Sequence, residues 1–136
     1  MINVLVLCTG NSCRSVMAEA LFNQLGQGRY AAVSAGSNPA GYVHPKSIDM
    51  LVRHGVAPGQ PRSKSWDEFA GKAFDLVVTV CDQAAAESCP VFLGASKKLH
   101  WSIPDPAKAA GTEEQINKAF DSVFHLLKTR IEELMA

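Results

Sequence analysis

Runs of apolar residues alternate with stretches of helical periodicity along the chain. A continuous apolar run that contains β-branched residues is typical of a strand buried on both faces. Such runs predict strands at Ile2–Leu7, Tyr30–Ala35 and Phe74–Val80, with a short fourth strand at Lys98–Trp101. Because strands and helices alternate, we predict a parallel sheet with right-handed crossovers and helices on both faces.

Three segments carry apolar residues at intervals of three and four, the spacing of one helix face. The first helix ends at Gly26, and the second runs from Pro45 to Gly55. The last helix opens with a capping box formed by Thr112 and Gln115. The predicted apolar faces are Val16, Met17, Ala20, Leu21 and Leu25, then Ile48, Leu51 and Val52, and finally Ile116, Phe120, Val123, Leu127, Ile131 and Leu134.

The composition narrows the class of protein. The chain has 136 residues, 47% of them hydrophobic, and 13 basic side chains balance 13 acidic ones. That length suits a single domain with its own core, which we predict over residues 1–136. Neither a nucleic acid nor a membrane is expected as a partner, because both favour a basic surface excess. No apolar run approaches the ~20 residues of a membrane span, and no signal-peptide pattern follows Met1, so we expect a cytoplasmic protein.

The segment Cys8–Ser15, called here the anion loop, joins the first predicted strand to the first helix. Backbone N–H groups at such a junction converge on one point and bind phosphate-like oxyanions. Gly10 and Asn11 suit the unusual backbone conformations of such a loop, and Arg14 offers a planar fork to two anion oxygens. The candidate oxyanion-binding residues are Thr9, Gly10, Asn11, Ser12, Cys13, Arg14 and Ser15.

Cys8 stands at the mouth of the anion loop and is the candidate nucleophile. The positive field that attracts an anion also stabilises a thiolate, so we predict a lowered pKa for Cys8. Ser15 could donate a hydrogen bond to that thiolate. Cys13, at the start of the helix, is interpreted instead as a small buried hydrophobic residue.

Three reactive side chains follow three different predicted strands. Cys8 follows the first strand, Cys81 the third and Asp105 the fourth. Ligands of open parallel sheets bind outside the carboxyl ends of the strands, so these residues are predicted to meet at one site. Pro104 and Pro106 would hold the Asp105 carboxyl there as a general acid. The alternative is an aspartate that only makes a turn between two prolines.

Four cysteines are many for a chain of this kind. Without a secretory signal they favour catalytic, redox or metal-binding roles over structural disulfides. Cys89 follows Cys81 across an Ala-rich segment, residues 82–88, which has no large apolar side chain to oppose a rearrangement. The two cysteines therefore suit a redox pair. The alternative is an Ala-rich surface helix with two unreactive thiols.

The anion loop and the residues that follow it resemble the low-molecular-weight protein tyrosine phosphatase superfamily, and the loop itself resembles the arsenate reductase branch. The likeness covers essentially the whole chain in matching order. It rests on Cys8–Ser15, Met17–Glu19, Ser34–Gly36, Val78–Cys81, Cys89–Pro90, His100–Trp101 and Pro104–Ala107. The resemblance implies a three-layer α/β sandwich with a four-stranded parallel sheet and activity as an arsenate reductase.

The resemblance also implies a role for each reactive residue. Arg14 binds the oxyanion, Asp105 acts as the general acid, and Cys8 attacks arsenate. Cys81 then attacks Cys8 and arsenite leaves, after which Cys89 attacks Cys81 to form a disulfide that an external dithiol protein reduces. Thioredoxin is the expected reductant, and a glutaredoxin with glutathione is the alternative.

We expect no bound cofactor and no metal, since the electrons come from an external thiol system. The cysteines lack the paired spacing of a zinc site, and the four histidines lie in different predicted elements. Asn11, Glu19 and Ser34 resemble positions that bind potassium in some members of the family. Lys64, however, lies where a further acidic ligand would be needed.

Two other functions remain open on the sequence. A low-molecular-weight protein tyrosine phosphatase or small-molecule phosphatase would form a cysteinyl-phosphate intermediate and needs only Cys8, Arg14 and Asp105. No aromatic residue occurs in residues 107–111, directly after Pro106, which fits a small tetrahedral anion better than phosphotyrosine. The other possibility is a non-catalytic protein that binds an oxyanion or senses oxidation.

Overall fold

A parallel sheet forms the centre of the structure, a computed structural model that describes residues 1–81 and 97–136. Its four strands lie in the order β2-β1-β3-β4, so the first strand pairs with β2 on one side and β3 on the other. The strands are β1 (Ile2–Cys8), β2 (Tyr30–Gly36), β3 (Leu76–Thr79) and β4 (Lys97–His100). The predicted α/β fold around a four-stranded parallel sheet is confirmed.

Three α-helices occur in the described residues: α1 (Arg14–Gly26), α2 (Pro45–Arg53) and α3 (Glu113–Met135). They pack together over one face of the sheet, where Val4, Val6 and Val78 share a core with the apolar sides of the helices. In the described part of the chain, the other face is covered by a 3-10 turn at Trp66–Phe69 and by Phe74. A second 3-10 turn, Pro106–Lys108, precedes α3.

The start of α3 follows directly from its sequence. Thr112 Oγ1 accepts from the Gln115 N–H at 3.2 Å, and Gln115 Oε1 accepts from the Thr112 N–H at 2.8 Å. The predicted capping box is therefore confirmed, because each side chain satisfies a backbone donor that the helix cannot. No helix in the described ranges combines the length and the apolar character needed to cross a membrane.

The buried faces differ from the prediction in all three helices. On α1 the fully buried Phe22 lies outside the predicted set. On α2, Leu51 is buried as predicted and Ser47 and Met50 are buried as well, but Val52, which was expected on the buried face, is 60% exposed. The reason is angular, because Val52 lies about 100° around the helix from Leu51. On α3 the apolar face also includes Phe124, which the predicted stripe omitted.

The third strand is shorter than the predicted Phe74–Val80. Phe74 instead packs before the strand with its ring 5.8 Å from that of Phe69. β3 keeps four residues, and the end of that strand pairs Thr79 with Leu7 of β1 and with His100 of β4. The carboxyl ends of three strands therefore meet at one edge of the sheet.

Candidate active site

Asn11 holds the anion loop in place. It has φ 49°, in the left-handed region, and its side chain is fully buried. Its Nδ2 donates to Ser15 Oγ and Ser34 Oγ, both at 2.9 Å, and its Oδ1 accepts from the Lys64 N–H at 2.9 Å. One amide thereby joins the loop to α1, to β2 and to the segment before Trp66, and all of its hydrogen-bonding groups there are matched.

The carbonyl groups of the anion loop are engaged by the chain that follows β2. The N–H groups of Ser37, Asn38, Ala40 and His44 donate to the carbonyls of residues 8, 9, 10 and 12 at 2.9–3.2 Å. With the loop carbonyls engaged in this way, the loop N–H groups are the backbone groups available to an anion, as expected for an oxyanion site at a helix start.

The end of β2 must be a glycine for this packing to occur. A Cβ atom on Gly36 would collide with the carbonyl oxygen of Thr9 and crowd the backbone of Asn11. Gly36 also pairs with Cys8 in the sheet. The close approach of the two backbones therefore sets the position of the loop relative to β1 and β2.

Two details of the loop differ from the sequence prediction. Gly10 does not adopt a positive φ, and Asn11 alone supplies the left-handed residue of the loop. The predicted hydrogen bond from Ser15 to Cys8 does not occur among the described contacts, in which Ser15 Oγ accepts from the Asn11 amide. Ser15 thus positions the loop through Asn11.

The Cys8 and Cys81 thiols form a buried pair at the edge of the sheet. Their residues are 2% and 3% exposed, and neither cysteine is in a disulfide. The hydrogen bond with Cys81 raises the pKa of Cys8 and burial raises it further, while the Arg14 guanidinium acts in the opposite direction. The predicted lowering of the Cys8 pKa is therefore wrong for this structure, since the prediction took no account of a second thiol. Thr9 Oγ1 lies 3.1 Å from Cys81 Sγ.

Arg14 and Asp105 approach each other across the site. Arg14 Nη1 donates to the carbonyl of Ile103 at 3.0 Å, and Arg14 Nη2 lies 3.6 Å from Asp105 Oδ2. Asp105 Oδ1 accepts from the Ala107 N–H at 3.0 Å and so caps the 3-10 turn that follows. The two interpretations of this aspartate are compatible, because one carboxylate oxygen makes the turn and the other faces Arg14.

The two thiols, Arg14 and Asp105 line one cavity of about 520 Å³. Its walls are formed by Cys8, Thr9, Gly10, Ser12, Cys13, Arg14, Cys81, Ser102, Ile103, Pro104, Asp105 and Lys108. Four of the five predicted catalytic residues therefore line one space, and the fifth, Cys89, lies outside the described residues. Asn11 and Ser15 support the loop from behind and do not line the cavity.

Two further residues line the cavity: Lys108, which was not among the predicted site residues, and Cys13, which was. Lys108 adds a cation to the cavity wall, and its one signal in the sequence was a basic residue shortly after Asp105. Cys13 is 3% exposed, which agrees with its interpretation as a small buried residue, and burial raises its pKa.

Lys64 lies beside Glu19, one of the residues that resemble a potassium site. Its Nζ lies 4.0 Å from Glu19 Oε1, and the Lys64 side chain is only 9% exposed. The same Glu19 oxygen accepts from Ser34 Oγ at 3.0 Å. Burial lowers the pKa of Lys64, and the Glu19 carboxylate acts against that shift. An ammonium group of this chain thus stands beside the network that supports Asn11.

The comparisons with known proteins agree with this arrangement. The family described as low molecular weight phosphotyrosine protein phosphatase matches residues 3–136. The arsenate reductase of Halalkalibacterium halodurans is 38% identical over 109 residues, 80% of this chain and 77% of that protein. The arsenate reductase of Bacillus subtilis is 36% identical over 127 residues, 93% of this chain and 90% of that protein. A solved structure of an arsenate reductase in the phosphate-binding state has a TM-score of 0.77 and 29% identity, and covers 98% of this chain and 96% of its own.

The hydrogen bonds of Asn11 predict that its substitution weakens both the fold and the binding of an anion. Asn11→Ala removes three hydrogen bonds from a buried site, and we expect it to lower the free energy of unfolding by about 2–4 kcal/mol and the affinity for phosphate at least tenfold. The matched control is Asn23→Ala, which removes two bonds to the backbone of Ala32 far from the loop. Urea unfolding and phosphate titration should show a stability loss for both variants but an affinity loss only for Asn11→Ala.

The thiol pair predicts that Cys81 controls the protonation of Cys8. Cys81→Ala removes the hydrogen bond that raises the Cys8 pKa, so Cys8 should ionise at lower pH than in the unmodified protein. Cys81→Ser keeps a hydrogen-bonding group and should restore part of the shift. The measurement is the pH dependence of Cys8 alkylation, followed by peptide mass. An identical profile in all three proteins would contradict the pairing.

Proposed function

The chain belongs to the low molecular weight phosphotyrosine protein phosphatase family, and on that basis we propose that it is an arsenate reductase, an enzyme that converts arsenate to arsenite with electrons from thiols. The observation that carries the proposal is the second thiol, Cys81, hydrogen-bonded to the nucleophile in the anion cavity. A phosphatase needs one cysteine there, whereas a reductase needs a further thiol to supply electrons. The names of the curated relatives support the same activity.

Arsenate binds in the cavity through the amide groups of the anion loop and the guanidinium of Arg14. Arg14 reaches Ile103 and Asp105 from the cavity wall, so its fork is already oriented when the anion arrives. Lys108, which also lines the cavity, adds positive charge. The positive charge is concentrated in this cavity, which explains how a chain with no net charge can attract an anion.

The first chemical step forms a bond between Cys8 sulfur and arsenic. The raised pKa of Cys8 means that the resting thiol holds its proton, so as the sulfur attacks, that proton passes to an arsenate oxygen that stays bound to arsenic. An arsenate oxygen departs as water, and Asp105 is the group proposed to protonate it. The product is a Cys8 thioarsenate in which arsenic is still in the +5 state.

The second step transfers two electrons to arsenic. Cys81 attacks the sulfur of Cys8, a Cys8–Cys81 disulfide forms, and the sulfur–arsenic bond breaks with its electron pair moving to arsenic. Arsenite leaves in the +3 state. The hydrogen bond between the two thiols supports this step, because the attacking and attacked sulfurs are neighbours before the reaction begins.

The third step is proposed from the sequence resemblance. Cys89 attacks Cys81, Cys8 is released as a thiol, and a Cys81–Cys89 disulfide remains for an external dithiol protein to reduce. We propose thioredoxin as that protein and a glutaredoxin with glutathione as the alternative. No cofactor is required within the chain, since all electrons pass through thiols.

The order of the three thiols can be tested with arsenate, thioredoxin, thioredoxin reductase and NADPH. Cys8→Ser should form no arsenite, and Cys81→Ser should bind phosphate normally but form no arsenite. Cys89→Ser should form one equivalent of arsenite and then stop, with a Cys8–Cys81 disulfide found by peptide mass. Unchanged turnover of Cys89→Ser would contradict the proposed relay. Rapid phosphate-ester hydrolysis by Cys81→Ser, with no arsenite formed by the unmodified protein, would favour a phosphatase.

The substitution Asp105→Asn tests the general-acid role of Asp105 separately from its role in capping the 3-10 turn. Asparagine keeps the Oδ1 atom that caps Pro106–Lys108, so the fold of the turn should survive. Loss of the acid should slow arsenate reduction by about 100-fold or more, since general acid–base groups contribute on that order. Phosphate affinity should change little. If turnover is unchanged, Asp105 serves only the turn.

A further inference from the structure

A cluster of metal-ligand side chains lies outside the cavity, where α2 ends against α3. His54 is the C-cap residue of α2, and Asp121 and His125 lie one turn apart on α3. His54 Nε2 is 2.8 Å from Asp121 Oδ1, and His125 Nε2 is 3.6 Å from the same oxygen. The donor atoms of the three residues all lie within 4.8 Å of one another. The cluster contains two imidazole nitrogens and one carboxylate oxygen.

Packing fixes the orientation of both imidazole rings. The His54 ring stacks on the buried Phe124 ring with centroids 4.2 Å apart and an interplanar angle of 11°. The His125 ring stands edge-on to the His54 ring at 5.0 Å and edge-on to the Phe124 ring at 5.5 Å. A ligand that binds here therefore meets rings that are already ordered, which reduces the entropy lost on binding.

The chemical types of the three ligand groups determine which class of metal ion suits the cluster. Two imidazoles and a carboxylate suit Zn²⁺, Co²⁺ or Ni²⁺, whereas Ca²⁺ and Mg²⁺ prefer oxygen ligands alone. Ligand atoms about 2.0–2.1 Å from a tetrahedral zinc stand about 3.3 Å apart. The separations from Asp121 Oδ1, 2.8 and 3.6 Å, lie on either side of that value. Small side-chain movements would therefore admit an ion.

We propose that His54, Asp121 and His125 form a binding site for a divalent transition-metal ion of the zinc type. The side chains are 29%, 45% and 55% exposed, so an ion has access from solvent, and water can complete its coordination. The ion would replace the direct contact between His54 and Asp121 with two metal–ligand bonds. It would join the end of α2 to α3 and stabilise the folded state, because the unfolded chain does not hold the three ligands together.

This site was not predicted from the sequence, in which the four histidines lie in different predicted elements. The separation of His54 from Asp121 is 67 residues, and two of the three ligands come from one helix while the third follows another. Only the packing of α2 on α3 brings them together. Nothing in the proposed arsenate chemistry requires the ion, so this site stands independently of the proposed function.

The test is titration of the reduced full chain with Co²⁺, whose absorption spectrum distinguishes thiolate ligands from nitrogen and oxygen ligands. We expect one equivalent to bind with a spectrum free of thiolate charge-transfer bands. His125→Ala and Asp121→Asn should each weaken this binding at least tenfold. The matched control is His100→Ala, which also removes one exposed histidine and should leave the affinity unchanged.

A second measurement separates loss of the site from loss of the fold. Thermal unfolding with EDTA should give similar midpoints for His125→Ala and the unmodified chain, and added Zn²⁺ should raise the midpoint only where the cluster is complete. Equal Co²⁺ affinity in His125→Ala and the unmodified chain would overturn the proposal. So would binding that shows only a thiolate spectrum, which would assign the ion to the cysteines.

Discussion

The buried amide of Asn11 is the contact on which the shape of the active site depends. Its bonds reach Ser15 on α1, Ser34 on β2 and the backbone of Lys64, so three separate parts of the chain are fixed to the loop. An amide can satisfy these partners because it donates two hydrogen bonds and accepts others. Because the Asn11 side chain is fully buried, any partner left unmatched would destabilise the fold by more than one hydrogen bond contributes. The conformation of the anion loop is therefore coupled to these three contacts.

The register of the sheet explains why two thiols from distant segments form a hydrogen bond. β1 and β3 are neighbours, and Leu7 pairs with Thr79, one residue before Cys8 and two residues before Cys81. Cys8 and Cys81 are thereby brought to the same edge, out of contact with solvent. Burial and the partner thiol favour the protonated state of Cys8, while Arg14 favours the thiolate. The same hydrogen bond that opposes ionisation is the contact on which the proposed disulfide step rests.

The short helix α2 connects the active site with the histidine cluster. At its first turn, Ser47 Oγ donates to the carbonyl of Ser12 in the anion loop, and the His44 N–H donates to the same oxygen. At its other end, His54 contacts Asp121 of α3. Lys46 adds a further link, because its Nζ donates to Asn117 on α3 at 2.8 Å. The helix α2 thus contacts the loop at its first turn and contacts α3 at both of its ends.

The sequence by itself determined the order of strands and helices, the anion loop and the edge at which Cys8, Cys81 and Asp105 meet. These features follow from apolar spacing, turn residues and the direction of parallel strands, which depend on near neighbours along the chain. Only the tertiary structure decided that Cys8 shares a hydrogen bond with a second thiol and that His54 approaches α3. Those properties depend on groups that are distant in sequence and close in space, and a local pattern contains no measure of that distance.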